Sequence, residues 1–128
     1  MGETFQVGEF SAVLEPRGRH LLCTETGECR DAAELTTYLA QIERLLARTN
    51  TTRVLFDARK DAAPRRGDKE TRDARWEWIR TSPRAKQIAV IAENEIAMTR
   101  INMTARANKV ALRAFLDFES AEAWLDET

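Results

Sequence analysis

The chain has 128 residues, of which 43% are hydrophobic and 32% are charged, and its formal net charge is −1. This length is typical of one domain, and the apolar content is sufficient for a core, which argues against an intrinsically disordered chain. The near-neutral charge predicts no nucleic-acid partner, and no apolar run approaches the roughly 18 residues that a membrane span needs. We therefore expect a single domain over residues 1–128 with no membrane insertion.

The N-terminal sequence MGETFQVGEF lacks the basic start and apolar segment of a signal peptide, so we expect a cytoplasmic protein. Two cysteines, Cys23 and Cys29, and a single histidine, His20, fall short of the roughly four ligands that a structural zinc site requires. In a reducing compartment a disulfide between the two thiols is disfavoured as well. We accordingly predict no metal and no cofactor.

The first elements in chain order are two strands that form a hairpin. Residues 9–15 (EFSAVLE) mix apolar and polar side chains as a strand does, and residues 20–25 (HLLCTE) form the returning strand. The PRG sequence at residues 16–18 is typical of the turn between them. Phe5 and Val7 either extend the first strand or form a short strand before it.

A helix is predicted next, from Asp31 to about Asn50. Asp31 and Glu34 resemble a capping box, in which one carboxylate accepts free amide hydrogens and the other reaches back. Asn50 is a plausible helix stop. Apolar residues three and four positions apart predict one buried face, namely Leu35, Tyr38, Leu39, Ile42, Leu45 and Leu46.

From residue 53 onwards, strands alternate with helices. We predict strands at residues 53–58, 86–93 and 111–117, helices at residues 69–80, 95–108 and 119–127, and a loop at residues 61–69. The apolar runs RVLFDA and KQIAVIAE are typical of strands that are covered on both faces of a parallel sheet. The predicted fold class is α/β, with one mixed sheet, the order β-β-α-β-α-β-α-β-α and helices packed on the sheet.

The C-terminal sequence LRAFLDFESAEAWLDE resembles the closing strand and helix of the SpoIIAA-like members of the STAS superfamily, the sulfate-transporter and anti-sigma-factor-antagonist fold. The residues that carry the likeness are Phe115, Asp117, Ala121, Ala123, Trp124 and Leu125. The sequence RVLFDAR also resembles the central strand that precedes the functional loop of this superfamily. The resemblance implies a STAS-like regulatory domain of a bacterial protein.

One branch of the superfamily is regulated by a phosphorylation switch just after the central strand. In the phosphorylated branch of the superfamily, a serine or threonine just after the central strand is modified, and the added charge breaks a protein–protein contact. Here Asp57 is followed by ARKDAAPRRGDKE, and the first hydroxyl is that of Thr71, inside a predicted helix. We expect the switch to be absent. Asp57 is then expected to accept hydrogen bonds from loop amides, with a binding role as the alternative.

The leading functional hypothesis is a non-enzymatic interaction domain that binds another protein or a second copy of itself. Residues 59–86 are rich in arginine and lysine, which favours polar partners. Trp76 and Trp78 point about 200° apart on one helix, so they cannot fill the same core contact. The residues expected to bind the partner are Arg59, Lys60, Arg72 and Trp76.

Two alternatives remain open. SpoIIAA-like proteins resemble CRAL-TRIO lipid carriers in fold, so an apolar ligand between sheet and helices is the second hypothesis. A closed core with no apolar cavity of roughly 300 Å³ or more would count against it. Arg100 and Asn102 are further candidates for binding a partner or ligand near the start of their helix, since that terminus lies at the carboxyl end of a strand. An enzyme, the third hypothesis, would need a cleft where Asp57 or His20 meets further polar groups.

Overall fold

The structure is a computed structural model, and it describes residues 2–29, 31–61 and 69–127. Its strands are β1 (Glu3–Val7), β2 (Phe10–Pro16), β3 (Leu21–Gly27), β4 (Arg53–Asp61), β5 (Gln87–Ile91) and β6 (Leu112–Phe115). Its helices are α1 (Ala32–Thr49), α2 (Lys69–Thr81), α3 (Glu95–Ala107) and α4 (Phe118–Asp126). Among the described residues, no helix combines the length and the apolar composition needed to span a membrane.

All six strands form one sheet in the order β1-β2-β3-β4-β5-β6. The first three strands are antiparallel neighbours, and β3, β4, β5 and β6 run parallel to one another. The predicted α/β class with one mixed sheet is confirmed. Of the two alternatives for Phe5 and Val7, the structure has the second: they lie in β1, a separate strand that precedes the predicted hairpin.

Helix α1 follows its sequence pattern closely. The Asp31 carboxylate accepts hydrogen bonds from the N–H groups of Ala33 (2.7 Å) and Glu34 (3.3 Å), and Asn50 ends the helix in the left-handed region with φ 53°. The predicted apolar face is the buried face, consisting of Leu35, Tyr38, Leu39, Ile42, Leu45 and Leu46. Local capping and periodicity were sufficient to place this helix.

Strand β4 is longer than predicted, because it continues to Asp61 instead of ending at Ala58. The register of β3 against β4 shifts between Thr24 and Thr26, so that Thr26 and Gly27 pair with Lys60 and Asp61. This irregularity places two β4 residues opposite one β3 residue, and the ladder continues past Asp57, which therefore lies within a strand and not in a turn. Most of the predicted loop at residues 61–69 lies outside the described residues.

Alternate residues of β3, β4 and β5 supply two separate cores, one on each face of the sheet. The larger core contains side chains such as Cys23, Val54, Phe56 and Ile88, and it is covered by α1, α2 and α3. The smaller core contains Leu22, Leu55, Ala89 and Ile91, and it is covered by α4. Residues that are neighbours along a strand therefore belong to different faces.

The C-terminal motif is explained by the packing of α4. The Asp117 carboxylate accepts a hydrogen bond from Ser120 N–H at 2.7 Å, which caps the helix and lowers the pKa of Asp117. The motif residues that face the sheet are buried or half-buried, namely Phe115, Ala121, Trp124 and Leu125. The motif thus encodes a capped helix with one apolar side.

We predict that Gly27→Ala destabilises the protein much more than Gly18→Ala. Both glycines have positive φ, 84° and 83°, which costs alanine about 1 kcal/mol. A Cβ at Gly27 would also lie 2.2 Å from the Glu9 carbonyl oxygen, whereas one at Gly18 would meet nothing within 4 Å. Moving the backbone should add about 2 kcal/mol for Gly27→Ala.

Urea denaturation of both variants measures this difference, and Gly18→Ala is the control for the backbone angle. Equal midpoints for the two variants would contradict the close approach of the Gly27 and Glu9 backbones.

We also predict that His20 makes the stability depend on pH. His20 is 6% exposed, and its Nε2 lies 3.8 Å from Glu122 Oε2 on α4. Burial lowers the pKa of His20, with Arg17 acting in the same direction and Glu122 and Asp126 in the opposite direction. The unfolded chain, with a histidine pKa of about 6.5, then binds more protons below that pH than the folded protein does.

The His20 contribution should therefore be complete above about pH 6.5 and decline as the pH falls towards the lower folded-state pKa. Melting temperatures between pH 7.5 and 5.5 should fall in the wild type and change less in His20→Gln. Glu122→Gln, which removes the carboxylate that favours the charged imidazole, should steepen the fall. The same pH slope in the wild type and His20→Gln would rule out this role for His20.

Candidate ligand-binding cavity

A cavity of about 400 Å³ lies between the sheet and helices α2 and α3. Its volume is within the range of small-molecule sites. Much of its wall is apolar and is formed by side chains that include Phe10, Phe56, Ile79, Val90, Ile101 and Leu112. The cavity therefore lies within the larger of the two cores, above the middle of the sheet.

A buried carboxylate, that of Glu25 on β3, also lines this cavity. Glu25 is 1% exposed, and its Oε2 accepts hydrogen bonds from the Tyr38 hydroxyl at 2.8 Å and from Arg75 Nη1 at 3.0 Å. Burial raises the pKa of Tyr38 well above its ordinary value, with the Glu25 charge acting in the same direction, so Tyr38 stays protonated as a donor. A charge taken out of water in this way requires such partners.

Helix α2 is held over the cavity by contacts from two successive turns, made by Arg75 and Trp78. Arg75 places its guanidinium 5.6 Å from the centre of the Phe56 ring, beside the ion pair with Glu25. One turn further along, Trp78 packs edge-on against Phe56, and its Nε1 donates a hydrogen bond to Glu43 on α1 at 3.1 Å. These contacts fix α2 against α1 and leave open space between α2 and the sheet.

The two tryptophans of α2 have different environments, as their 200° separation predicts. Trp78 is half-buried between Phe56 and Glu43, while Trp76 is half-buried in the cavity wall. Neither is exposed. Trp76 is thus the tryptophan that a molecule in the cavity would contact.

Two exposed arginines line the cavity from different helices: Arg72 from α2 and Arg100 from α3. Their exposure shows that this part of the cavity reaches the surface. Thr71, next to Arg72, also lines the cavity but is only 8% exposed. Of the residues predicted to bind a partner or ligand, the structure therefore brings together Arg72, Trp76 and Arg100.

Asp57 and Arg59 lie on the opposite face of the sheet, under the start of α4. The Asp57 carboxylate accepts hydrogen bonds from Arg59 Nε at 2.9 Å, Nη2 at 2.8 Å and the backbone N–H at 3.2 Å. The Arg59 guanidinium lies 5.1 Å from the centre of the Phe118 ring. Hydrogen bonds from Arg59 lower the pKa of Asp57 despite its burial. Asp57 thus fixes an arginine that packs on the first residue of α4.

The two remaining predicted residues, Lys60 and Asn102, have separate environments. Lys60 is exposed near the end of β4. The Asn102 side chain bonds the backbone of Ala114 on β6, accepting from its N–H at 2.7 Å and donating to its carbonyl at 3.3 Å. Asn102 thereby pairs backbone groups of β6, the last strand in the order of the described sheet, which is a structural role.

The residues named for a catalytic cleft do not meet. Leu21 pairs with Val54 at one end of the parallel pair, and Thr24 pairs with Asp57 three residues further along. His20 precedes Leu21, so it lies roughly 10 Å or more from Asp57 along the strands. Asp57 is hydrogen-bonded to Arg59, and His20 has Glu122 nearby.

The sequence interpretation missed Glu25 and Arg75, the pair at the cavity wall. A weak signal existed in β3, where Glu25 alternates with Leu21 and Cys23 and so shares their buried face. Arg75 appeared only as one cation among many between residues 59 and 86. Its partner is fifty residues away in sequence, as the separation in the Arg75–Glu25 hydrogen bond shows.

No protein-family model matches this sequence, and no curated protein matches it. Among solved structures, the chain is similar to an uncharacterized protein from the DUF3478 family with a SpoIIAA-like fold, from Shewanella loihica PV-4. The TM-score is 0.67 at 14% sequence identity, and the match covers 94% of this chain and 97% of that one. The likeness concerns the fold alone and extends over nearly the whole of both chains. The chain therefore has the SpoIIAA-like fold that its C-terminal motif indicated.

Proposed function

We propose that this protein is a non-enzymatic binding module that holds a small organic molecule in the cavity between the sheet and helices α2 and α3. The observation that carries the proposal is the cavity itself, about 400 Å³ with a wall that is mainly apolar and a few polar groups. This combination is characteristic of small-molecule sites. The core is therefore not closed at this position, and the cavity is larger than the roughly 300 Å³ at the lower end of small-molecule sites.

The positions of the polar groups support binding over catalysis. Glu25 already accepts hydrogen bonds from Tyr38 and Arg75, and Asp57 is held by Arg59 on the other face of the sheet. A general base must be within hydrogen-bond reach of a substrate proton, and a nucleophile must be beside such a base. The arrangement of these carboxylates favours fixing the helices over activating a substrate.

The environment of Thr71 supports a function without the phosphorylation switch. Thr71 is the first hydroxyl residue after β4 in the sequence, and its side chain lies in the cavity wall with the residue 8% exposed. A kinase requires an accessible hydroxyl as the attacking group. Occupancy of the cavity, and not phosphate on this threonine, is the proposed basis of any regulatory role.

A second candidate function is the binding of a protein, including a second copy of this chain. It is favoured by two exposed apolar side chains on α3, Ile96 and Met103, which are 71% and 64% exposed. Arg100 lies between them on the same helix, so apolar and cationic groups occupy one surface. The four residues predicted for this role are divided between the two faces of the sheet. This division argues against one continuous binding surface made of all four.

The small-molecule function predicts that filling the cavity abolishes binding. Ala58 lines the cavity from β4, so Ala58→Phe should occupy it with a ring. Fluorescence titration with the neutral apolar dye N-phenyl-1-naphthylamine should show saturable binding to the wild type. The same titration of Ala58→Phe should show affinity at least tenfold lower, with a melting temperature that is unchanged or higher.

Ala123→Phe is the matched control, because Ala123 is exposed on α4, on the opposite face of the sheet. It should bind the dye as the wild type does. Equal dye binding by all three proteins would place the dye elsewhere, and no saturable binding by the wild type would leave protein binding as the better function.

A further inference from the structure

We propose that the natural occupant of the cavity is a small amphipathic anion, with an oxyanion headgroup held between Arg72 and Arg100 and an apolar body against the sheet. This inference rests on the proposed function and adds the chemical class of the ligand. It is carried by three independent features of the site: the balance of charge at the cavity mouth, a buried hydroxyl that has no partner within the described part of the chain, and the apolar wall.

The charge at the cavity is positive. Three arginines (Arg72, Arg75 and Arg100) and two glutamates (Glu25 and Glu28) line it. Arg75 is committed to Glu25, and Glu28 is half-buried and makes an interaction of its own. Within residues 2–29, 31–61 and 69–127, neither Arg72 nor Arg100 forms an ion pair.

These two cations come from separate helices and line the same cavity. Like charges that face the same small volume repel each other, and an anion between them replaces that repulsion with two attractions. The planar guanidinium group suits carboxylate and phosphate oxygens, because it can donate two parallel hydrogen bonds. The mouth of the cavity is therefore suited to an oxyanion.

The Thr71 hydroxyl is the second feature. Its Oγ1 is buried and has no hydrogen-bond partner among the described residues. Buried polar atoms in folded proteins are nearly always paired, so an unpaired hydroxyl in a cavity wall indicates a group that arrives from outside the chain. Thr71 is adjacent to Arg72 in sequence, and both side chains line the cavity. An oxyanion at the mouth can accept this hydrogen bond.

The apolar wall behind these groups indicates the chemistry of the remaining part of the ligand. Phe56 and Val90 are paired residues on β4 and β5, and Ile101 lies on α3 one residue after Arg100. An apolar body placed against them leaves water, while a fully polar anion would leave this wall uncovered. The site as a whole is therefore matched to a molecule that is anionic at one end and apolar at the other.

The test compares decanoate and decyl phosphate with decanamide, a neutral molecule of similar shape. Each is used below its micelle concentration, and binding is measured by displacement of N-phenyl-1-naphthylamine from the wild-type protein. Both anions should bind at least tenfold more tightly than decanamide. In Arg72→Gln/Arg100→Gln, anion affinity should fall at least tenfold to the level of decanamide, whose own affinity should not change.

Arg84→Gln/Arg106→Gln is the matched control, because it removes two positive charges from exposed positions outside the cavity wall. It should bind decanoate within about twofold of the wild type. Thr71→Val, which keeps the side-chain shape, should weaken decanoate binding several-fold while the melting temperature without ligand stays the same or rises.

Equal binding of decanoate and decanamide, or unchanged decanoate binding in Arg72→Gln/Arg100→Gln, would overturn the inference. Saturable dye binding that neither anion displaces would overturn it as well. In each of these cases the cavity would still bind a molecule, and the proposed function would stand. If the wild-type protein showed no saturable dye binding, that result would instead contradict the proposed function.

Discussion

The arrangement of this protein depends on one buried carboxylate. Glu25 projects from β3 into the larger core, where an unpaired charge would cost several kcal/mol. Its two hydrogen-bond donors, Tyr38 and Arg75, come from α1 and α2. Since both donors must reach the same oxygen, the positions of two helices relative to the sheet are fixed together. The space that remains beneath α2 and α3 is the cavity.

The pleat of the sheet then decides which residues can act together. Phe56 and Ala58 line the cavity, while Asp57 and Arg59, their neighbours in sequence, lie under α4 on the other face. Consecutive polar residues at the end of a strand therefore do not form one site, because alternate side chains face opposite sides of the sheet. The functional surface is formed instead by residues from different elements that share a face.

Local signals in the sequence were sufficient for much of the fold and for part of the site. The Asp31 cap and the Asn50 stop could be predicted because each depends on neighbouring residues, and the C-terminal motif could be interpreted for the same reason. The end of β4 could not, because its pairing with β3 continues beyond a register shift that places two β4 residues opposite one β3 residue. Glu25 was missed because a glutamate in a strand usually faces water, and its partners lie 13 and 50 residues away.

The most direct test of this account is a double-mutant cycle between Glu25 and Arg75, measured as the free energy of unfolding in urea. Glu25→Gln and Arg75→Gln should each cost about 2 kcal/mol or more, because each leaves a charge without its partner. The double variant should cost little more than either single variant, and dye binding should be lost in all three. Additive costs within about 0.5 kcal/mol, together with unchanged dye binding, would contradict the claim that this ion pair positions α2 over the cavity.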